Sequence, residues 1–400
     1  MELAEIGRTP KGGVCRLALS ALDAQARRLV MAWGQAEGLR ITVDAIGNIF
    51  MRRPGRDDSL LPVLTGSHID TQPTGGKFDG NFGVLAGLEV VRSLNARSIE
   101  TEAPIEVVIW TNEEGSRFVP VMMGSGVFAN AFTLESAHAA RDAAGRSVQE
   151  ELEAIGFRGS ESPGHHPVGA YFEAHIEQGP VLEAAACTIG VVTGVLGLRW
   201  YDCTVVGMEA HAGPTPMAAR QDALQAALPI MRSVVELALA HSPHGRGTVG
   251  SVQVFPNSRN VIPGSVTFSI DLRHAEQETL DAMEGALNRC IEEARRSSGL
   301  SITLKEVSAF APSRFDPECV RLIEKASAIR GYPQMKVVSG AGHDAVYLAR
   351  VAPTAMVFIP CKDGISHNEI EDARPEHLEA GCNVLLDAIL ARAGVSGPLR

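Results

Sequence analysis

Leu61-Pro-Val-Leu-Thr-Gly-Ser-His-Ile-Asp-Thr-Gln-Pro-Thr-Gly-Gly-Lys-Phe-Asp-Gly80 is the stretch that decides the fold. Its apolar opening reads as a short buried strand of the kind found in a parallel sheet. Such a strand carries His68 to its carboxyl end, where open α/β sheets place their sites. Asp70 lies two residues on, on the same side as His68, and is expected to accept the second ring N–H of His68 and fix its tautomer. Asp79 follows in a glycine-rich turn, from which one carboxylate can bridge two cations.

The same order, an apolar strand that runs out into acids or a histidine, recurs along the chain. Ile105-Glu-Val-Val-Ile-Trp-Thr-Asn-Glu-Glu-Gly115 ends in adjacent carboxylates. Adjacent acids suit a division of labour: one binds a cation and is neutralised by it, while its neighbour takes a proton from activated water and returns it later. Glu114 is the expected ligand and Glu113 the expected general base. Ala174-His-Ile-Glu-Gln-Gly-Pro-Val-Leu-Glu183 sets His175 beside Glu177 and Gln178, and Met356-Val-Phe-Ile-Pro-Cys-Lys-Asp-Gly-Ile-Ser-His-Asn-Glu369 leads to His367. A lone histidine is more often a packing or surface residue than a ligand, and a Glu-Glu pair after a strand is by itself often a solvated loop. Four such segments in one chain make the metal reading the stronger one. His68, Asp79, Glu114, His175 and His367 together offer three imidazoles and two carboxylates, a set suited to two divalent ions of the zinc type.

Downstream of residue 183 the pattern of elements changes. Strands are expected at 199–206, 248–254, 265–272 and 301–305, with long helices at 218–240 and 276–296. That order, βαββαβ, is the ferredoxin-like unit. The fold class is therefore α/β: a doubly wound mixed sheet forming a catalytic domain from 1–186 and 309–400, with an inserted ferredoxin-like α+β domain at 187–308. The crossings at 184–190 and 306–312 are the expected hinges. The inserted domain carries His211 in a Gly/Pro-rich turn, Asn260 before Pro263, and Arg273 at a strand end. Read together they form a donor set for an anionic substrate, with Arg273 clamping a carboxylate, Asn260 assisting and His211 holding an oxyanion. A plain ion pair of Arg273 with Asp271 or Glu276 is the alternative. Arg199 is a weaker candidate for the carboxylate. His138, His165, His166, His241, His244 and His274 are assigned to surface or packing.

Charge and composition exclude other classes. The 36 basic and 47 acidic residues give a formal charge of −11, and no basic stripe is present, so neither nucleic acid nor an anionic membrane is an expected partner. No apolar run reaches the ~20 residues of a membrane span, and the N-terminus lacks a secretory pattern. The chain is expected to be cytoplasmic, with its seven cysteines reduced.

With these segments, Gly207-Met-Glu-Ala-His-Ala-Gly-Pro-Thr-Pro216, Asn260-Val-Ile-Pro-Gly264, Asp271-Leu-Arg273 and Gly340-Ala-Gly-His-Asp-Ala345, essentially the whole chain resembles the M20 metallopeptidase-type amidohydrolases. Within them it is most similar to the hydantoinase/carbamoylase branch: N-carbamoyl-L-amino-acid hydrolases, β-ureidopropionases and allantoate amidohydrolases. The resemblance implies that His68, Asp79 and His175 hold one ion and Asp79, Glu114 and His367 the other, as zinc, manganese, cobalt or nickel, with Glu113 as the base. It further implies that Gln178, His211, Asn260, Arg273 and the backbone at Gly342 bind a small substrate with a carboxylate. His211 and Asn260 would reach a neighbouring subunit's site, which implies a homodimer joined through the inserted lid domain. The implied reaction is hydrolysis of an N-carbamoyl-L-amino acid to amino acid, carbon dioxide and ammonia. Allantoate or β-ureidopropionate hydrolysis is the near alternative. An M20 aminoacylase or peptidase, or a non-catalytic metal-binding protein, is the remote one.

Overall fold

The computed structural model describes residues 1–164 and 166–395; His165 lies outside the described residues. The chain divides into two compact units, Met1–Thr193 with Arg314–Arg400, and Gly194–Ser313. In chain order, the strands of the first stretch are β1 (Arg40–Val43), β2 (Ile49–Arg53), β3 (Val63–His68), β4 (Ile105–Trp110), β5 (Ala170–Ile176) and β6 (Ile189–Val195). Those of the middle stretch are β7 (Gly197–Val206), β8 (Arg246–Thr248), β9 (Val252–Phe255), β10 (Ser265–His274) and β11 (Ser301–Phe310). The chain then returns through β12 (Ser313–Arg314), β13 (Gln334–Ser339) and β14 (Thr354–Ile359).

The first unit is a mixed α/β structure. Its sheet runs β1-β2-β4-β3-β5-β14-β6-β12, with β13 pairing β6. The four central strands β4, β3, β5 and β14 are mutually parallel, and antiparallel partners flank them: β2 beside β4, and β6 beside β14. Every residue of those four central strands is buried, as expected of strands covered on both faces. The helix Asn81–Ala96 packs on β3 and its neighbours through glycines at Gly83 and Gly87, one turn apart. A Cβ at Gly83 would lie 2.5 Å from the Ala174 carbonyl oxygen, and one at Gly87 3.0 Å from Thr65. Helix and sheet therefore approach more closely than any other side chain permits. This architecture brings the carboxyl ends of four adjacent parallel strands to one rim.

The second unit places its elements in the order β7, helix Ala223–Ala240, β8 and β9, β10, helix Gln277–Ser298, β11. Its sheet runs β11-β7-β10-β8, with β9 also on β10, and every pairing is antiparallel. Along β10 burial alternates strictly. Val266, Phe268, Ile270 and Leu272 face the core, where they meet Ala227, Ile230 and Val234 of one helix and Leu280, Met283 and Leu287 of the other. The first of these helices begins at Ala223 rather than 218 because the Asp222 side chain accepts the Leu224 and Gln225 N–H groups, while Met217–Ala219 form a separate 3₁₀ turn. By length and composition this helix is apolar enough to cross a membrane; its inner face is core, and Leu228, Val235 and Leu239 lie exposed on it.

Two boundaries differ from those read in the sequence. Residues expected to belong to the insertion form β6, which hydrogen-bonds to β14 in the first sheet, so the second unit begins at Gly194. At the other end β11 runs on to Phe310 along β7 through a bulge between Glu306 and Ser308, so that unit ends at Ser313. Of the two segments expected to act as hinges, 306–312 is largely strand paired to β7, whereas 184–190 runs from the end of a short helix (Val181–Ala184) through a turn into the first residues of β6. All seven cysteines are free thiols.

Candidate metal centre

The rim gathers the acids and histidines. His68 is the last residue of β3, His175 lies near the end of β5, Glu113 and Glu114 follow β4, and His367 follows β14. Asp79 stands among them with its two oxygens turned to different partners. Oδ1 lies 3.8 Å from His68 Nε2 and 3.3 Å from His175 Nε2, whereas Oδ2 lies 3.3 Å from His367 Nε2. Glu114 Oε2 is 3.4 Å from the same His367 nitrogen. Two groups result, His68/Asp79/His175 and Asp79/Glu114/His367, and within each the donor atoms lie within 4.8 Å of one another. The first group is buried, while the His367 side chain is 51 % exposed and leaves the second open to solvent.

Backbone groups set the imidazoles. His68 Nδ1 lies 2.9 Å from the Asp70 carbonyl oxygen and His175 Nδ1 2.9 Å from that of Ile176. A carbonyl only accepts, so each Nδ1 carries a proton and each Nε2 is turned to the centre as the atom that a cation would take. In the ion-free protein, despite burial, Asp79 raises His175 to about 9, so that a cation displaces a proton there. The Asp70 carboxylate does not take the role expected for it. It is 3.8 Å from His68 Nδ1 and instead accepts the backbone N–H groups of Glu113 and Glu114, at 3.3 Å each. The carbonyl of the same residue already serves the ring, which frees the carboxylate to fix the turn that carries both glutamates. Gly80, at φ +65°, leaves room for His68: a Cβ there would sit 2.4 Å from the imidazole. Gln178 and His367 also hold left-handed backbone, at φ +58° and +53°, in keeping with strain collected at a functional rim.

The electrostatics call for a cation. Burial pushes Glu113 well above the usual carboxylate range, and Asp344, Glu114, Asp70 and Asp79 push it further. Burial and the Asp79 charge raise Glu114 to about 8. Burial lowers His68 to about 4, while the hydrogen bond to Asp79 is the main reason His367 rises to about 9. Among the described residues, the ion-pair partners of Asp79, Glu113 and Glu114 are all histidines. Imidazole and carboxylate donors without a thiolate fit zinc, manganese, cobalt or nickel in both groups. Glu113 belongs to neither group: its Oε2 lies 3.5 Å from His68 Nε2, beside the donors and outside both sets.

The other expected site residues divide between the two units. Gln178 donates from Nε2 to Asp79 Oδ2 at 3.0 Å and to Ser366 Oγ at 3.2 Å, and its buried Oε1 has no partner. Gly342 faces Met122, whose Cε a Cβ there would meet at 3.0 Å. In the second unit a backbone bridge between His211 and Val261 and the Ala212 N–H bond to the Asn260 carbonyl, 2.8 Å, bring His211 and Asn260 together. Arg273 pairs with Asp271, with Nε 3.0 and 3.1 Å from the two carboxylate oxygens and Nη2 2.8 Å from Oδ2, the ion pair named above as the alternative. Arg199 is held by Glu284 and Asp281.

Several supporting residues escaped the sequence reading. Gln72 donates its backbone N–H to Glu114 Oε1 and its side-chain amide to Oε2, at 3.1 and 2.8 Å. A third donor group, Glu173/His175/His343, lies below the centre. There Glu173 already accepts from Ser67 Oγ, the Tyr171 hydroxyl and the Ala345 N–H, so it supports the wall. Tyr171, Glu173 and His175 share one side of β5 at a spacing of two. That is the signal that could have found Glu173.

The profile of Peptidase family M20/M25/M40 matches residues 64–391, and the chain belongs to that family. It is 47 % identical over 395 residues to the N-carbamoyl-L-amino-acid amidohydrolase of Rhizobium meliloti, with 99 % of this chain and 95 % of that protein covered. Identity to the enzyme of the same name from Geobacillus stearothermophilus is 38 %, covering 97 % and 96 %. Among solved structures, an amidase of the hydantoinase/carbamoylase family from Burkholderia multivorans superposes with a TM-score of 0.96 at 56 % identity, covering 98 % of this chain and 96 % of that one.

The pKa shifts give a prediction for metal uptake. In the ion-free protein at pH 7, Glu114 (about 8), His175 (about 9) and His367 (about 9) carry protons that cations must displace. Zinc binding in weakly buffered solution should therefore release protons, and affinity should rise as pH is raised from 6 toward 9. Uptake without proton release, or with affinity flat across that range, would contradict the protonation assigned to these groups.

Proposed function

We propose that the chain is a metal-dependent amidohydrolase that cleaves the carbamoyl C–N bond of N-carbamoyl-L-amino acids, giving the amino acid, carbon dioxide and ammonia. The observation that carries this reading is Glu113, a buried carboxylate beside both donor groups and a member of neither. A passive metal-binding protein has no use for it. The names of the relatives at 47 % and 38 % identity support the substrate class.

Divalent ions bound by His68, Asp79 and His175 and by Asp79, Glu114 and His367 would acidify water and polarise the ureido carbonyl. Glu113 takes the proton of the attacking water and delivers it to the departing amine, so that the carbamoyl carbon gains an oxygen as its bond to the amino-acid nitrogen breaks. Burial and neighbouring carboxylates raise the proton affinity of Glu113 in the ion-free centre, and cations held beside it would lower that affinity until the carboxylate is free to accept a proton. His211 stabilises the developing oxyanion, and Arg273 with Asn260 binds the substrate carboxylate. Gln178, already hydrogen-bonded to Asp79, has an unpartnered Oε1 that can accept a ureido N–H. The carbamate released breaks down to carbon dioxide and ammonia.

Two variants separate the roles of the paired glutamates. Glu113→Gln should keep its metal and lose about 10²–10⁴-fold in turnover, the usual share of proton transfer. Glu114→Gln should lose metal instead. Ammonia release on N-carbamoyl-L-amino acids, N-carbamoyl-β-alanine and allantoate should be fastest for the first class. Faster release from allantoate would reassign the substrate, and metal loss confined to Glu113→Gln would exchange the two roles.

The same reading makes the chain a homodimer paired through the second unit, in which His211 and Asn260 of one subunit serve the centre of the other. Apolar side chains exposed along the helix Ala223–Ala240, Leu228, Val235 and Leu239, support pairing there. Refolding Glu113→Gln together with His211→Ala should then restore activity, because each mixed dimer rebuilds one complete centre. Confirmed heterodimers without activity would confine His211 to its own subunit or remove it from catalysis.

A further inference from the structure

We propose that Glu371 is a positioning residue that fastens the Asp79 loop to the His367 loop and thereby sets which way each Asp79 oxygen faces. The inference rests on the metal reading of Asp79 and His367 given above. Glu371 is buried and is a member of neither group of donors. Its Oε1 accepts two consecutive backbone N–H groups, from Phe78 at 3.0 Å and Asp79 at 3.1 Å. Its Oε2 accepts from Ser366 Oγ at 3.0 Å, and that hydroxyl lies 3.2 Å from Asp79 Oδ2. One carboxylate thus grips the main chain that carries Asp79 and the side chain of Ser366, the residue before His367, which stands beside the oxygen of Asp79 that His367 faces.

The loop is shaped to receive this group. Gly76 lies against the carboxylate, and a Cβ there would fall 2.0 Å from Glu371 Cδ and Oε1. Any other residue at 76 would therefore push the carboxylate off the two N–H groups. Gln178 ties the same two residues, donating both to Asp79 Oδ2 and to Ser366 Oγ. Without Glu371, the Phe78 and Asp79 N–H groups are left buried and unpaired, and the loop must turn to find water. Asp79 would then lose the orientation that lets one carboxylate serve two groups of donors.

A glutamine tests geometry apart from charge. In Glu371→Gln the amide oxygen still accepts both N–H groups and the amide nitrogen donates to Ser366 Oγ, so every link survives without the negative charge. Glu371→Ala removes all of them, Gly76→Ala displaces the carboxylate, and Ser366→Ala cuts only the hydroxyl relay. Zinc affinity of the metal-stripped full chain would be measured by competition with a chromophoric chelator, with thermal unfolding of each ion-free variant recorded alongside.

The expected result is that Glu371→Gln binds zinc nearly as the unaltered chain does. Glu371→Ala and Gly76→Ala should bind about 10–100-fold more weakly, with Ser366→Ala in between. Equal affinity in the unaltered chain and Glu371→Ala would overturn the proposal, as would Glu371→Gln falling as far as Glu371→Ala, which would make the charge the active feature. If Glu371→Ala does not fold, unchanged affinity in both Gly76→Ala and Ser366→Ala overturns it as well. An unaltered chain that takes up no zinc would fail at the earlier step, sinking the metal reading and this inference with it.

Discussion

One carboxylate with two faces is the constraint on which the rest of the first unit depends. Asp79 Oδ1 turns to His68 and His175 and Oδ2 to His367, and neither direction tolerates much drift. The parallel order β4-β3-β5-β14 makes the arrangement possible, since it delivers four loops to the same rim. Gly80 leaves space for the His68 ring, Asp70 pins the turn of Glu113 and Glu114, and Gln178 holds Oδ2. These contacts come from four separate stretches of chain, so the centre exists only once the sheet has closed.

The second consequence of the arrangement is electrostatic. Asp70, Asp79, Glu113, Glu114, Glu173 and Asp344 are all buried. Burying a carboxylate without compensation drives it to hold its proton, which is the direction taken by Asp70, Glu113, Glu114, Glu173 and Asp344. Only Asp79 moves the other way, because histidines surround it. A fold that gathers so many acids, and pairs the central ones only with imidazoles, is unfavourable by itself and becomes favourable when cations enter. Gathering acids in this way runs against stability, and bound cations would offset it.

Much of this was legible in the sequence because the chemistry is carried by local words. A strand that ends in His68, Glu113 and Glu114, His175 or His367 announces itself within a dozen residues. The ferredoxin-like order of the second unit could be read from periodicity alone. What sequence hid was contact at long range. Glu371 and Asp79 are 292 residues apart, and nothing in either segment announces that one carboxylate holds the other's backbone. Asp70 was placed on the correct side of His68 with the wrong group doing the bonding, since spacing does not distinguish a side-chain acceptor from a carbonyl. The first edge of the second unit shifted because an apolar strand such as β6 does not show in its own sequence which sheet it joins, and the second because nothing local marks how far β11 continues along β7.

The most direct test of the central claim is anomalous diffraction from crystals of the zinc-loaded protein. Two zinc peaks per chain are expected on opposite sides of the Asp79 carboxylate, one among His68 and His175 and the other among Glu114 and His367, with Glu113 coordinated to neither. A single peak, or zinc held by Glu173 and His343 in place of Asp79, would contradict that claim.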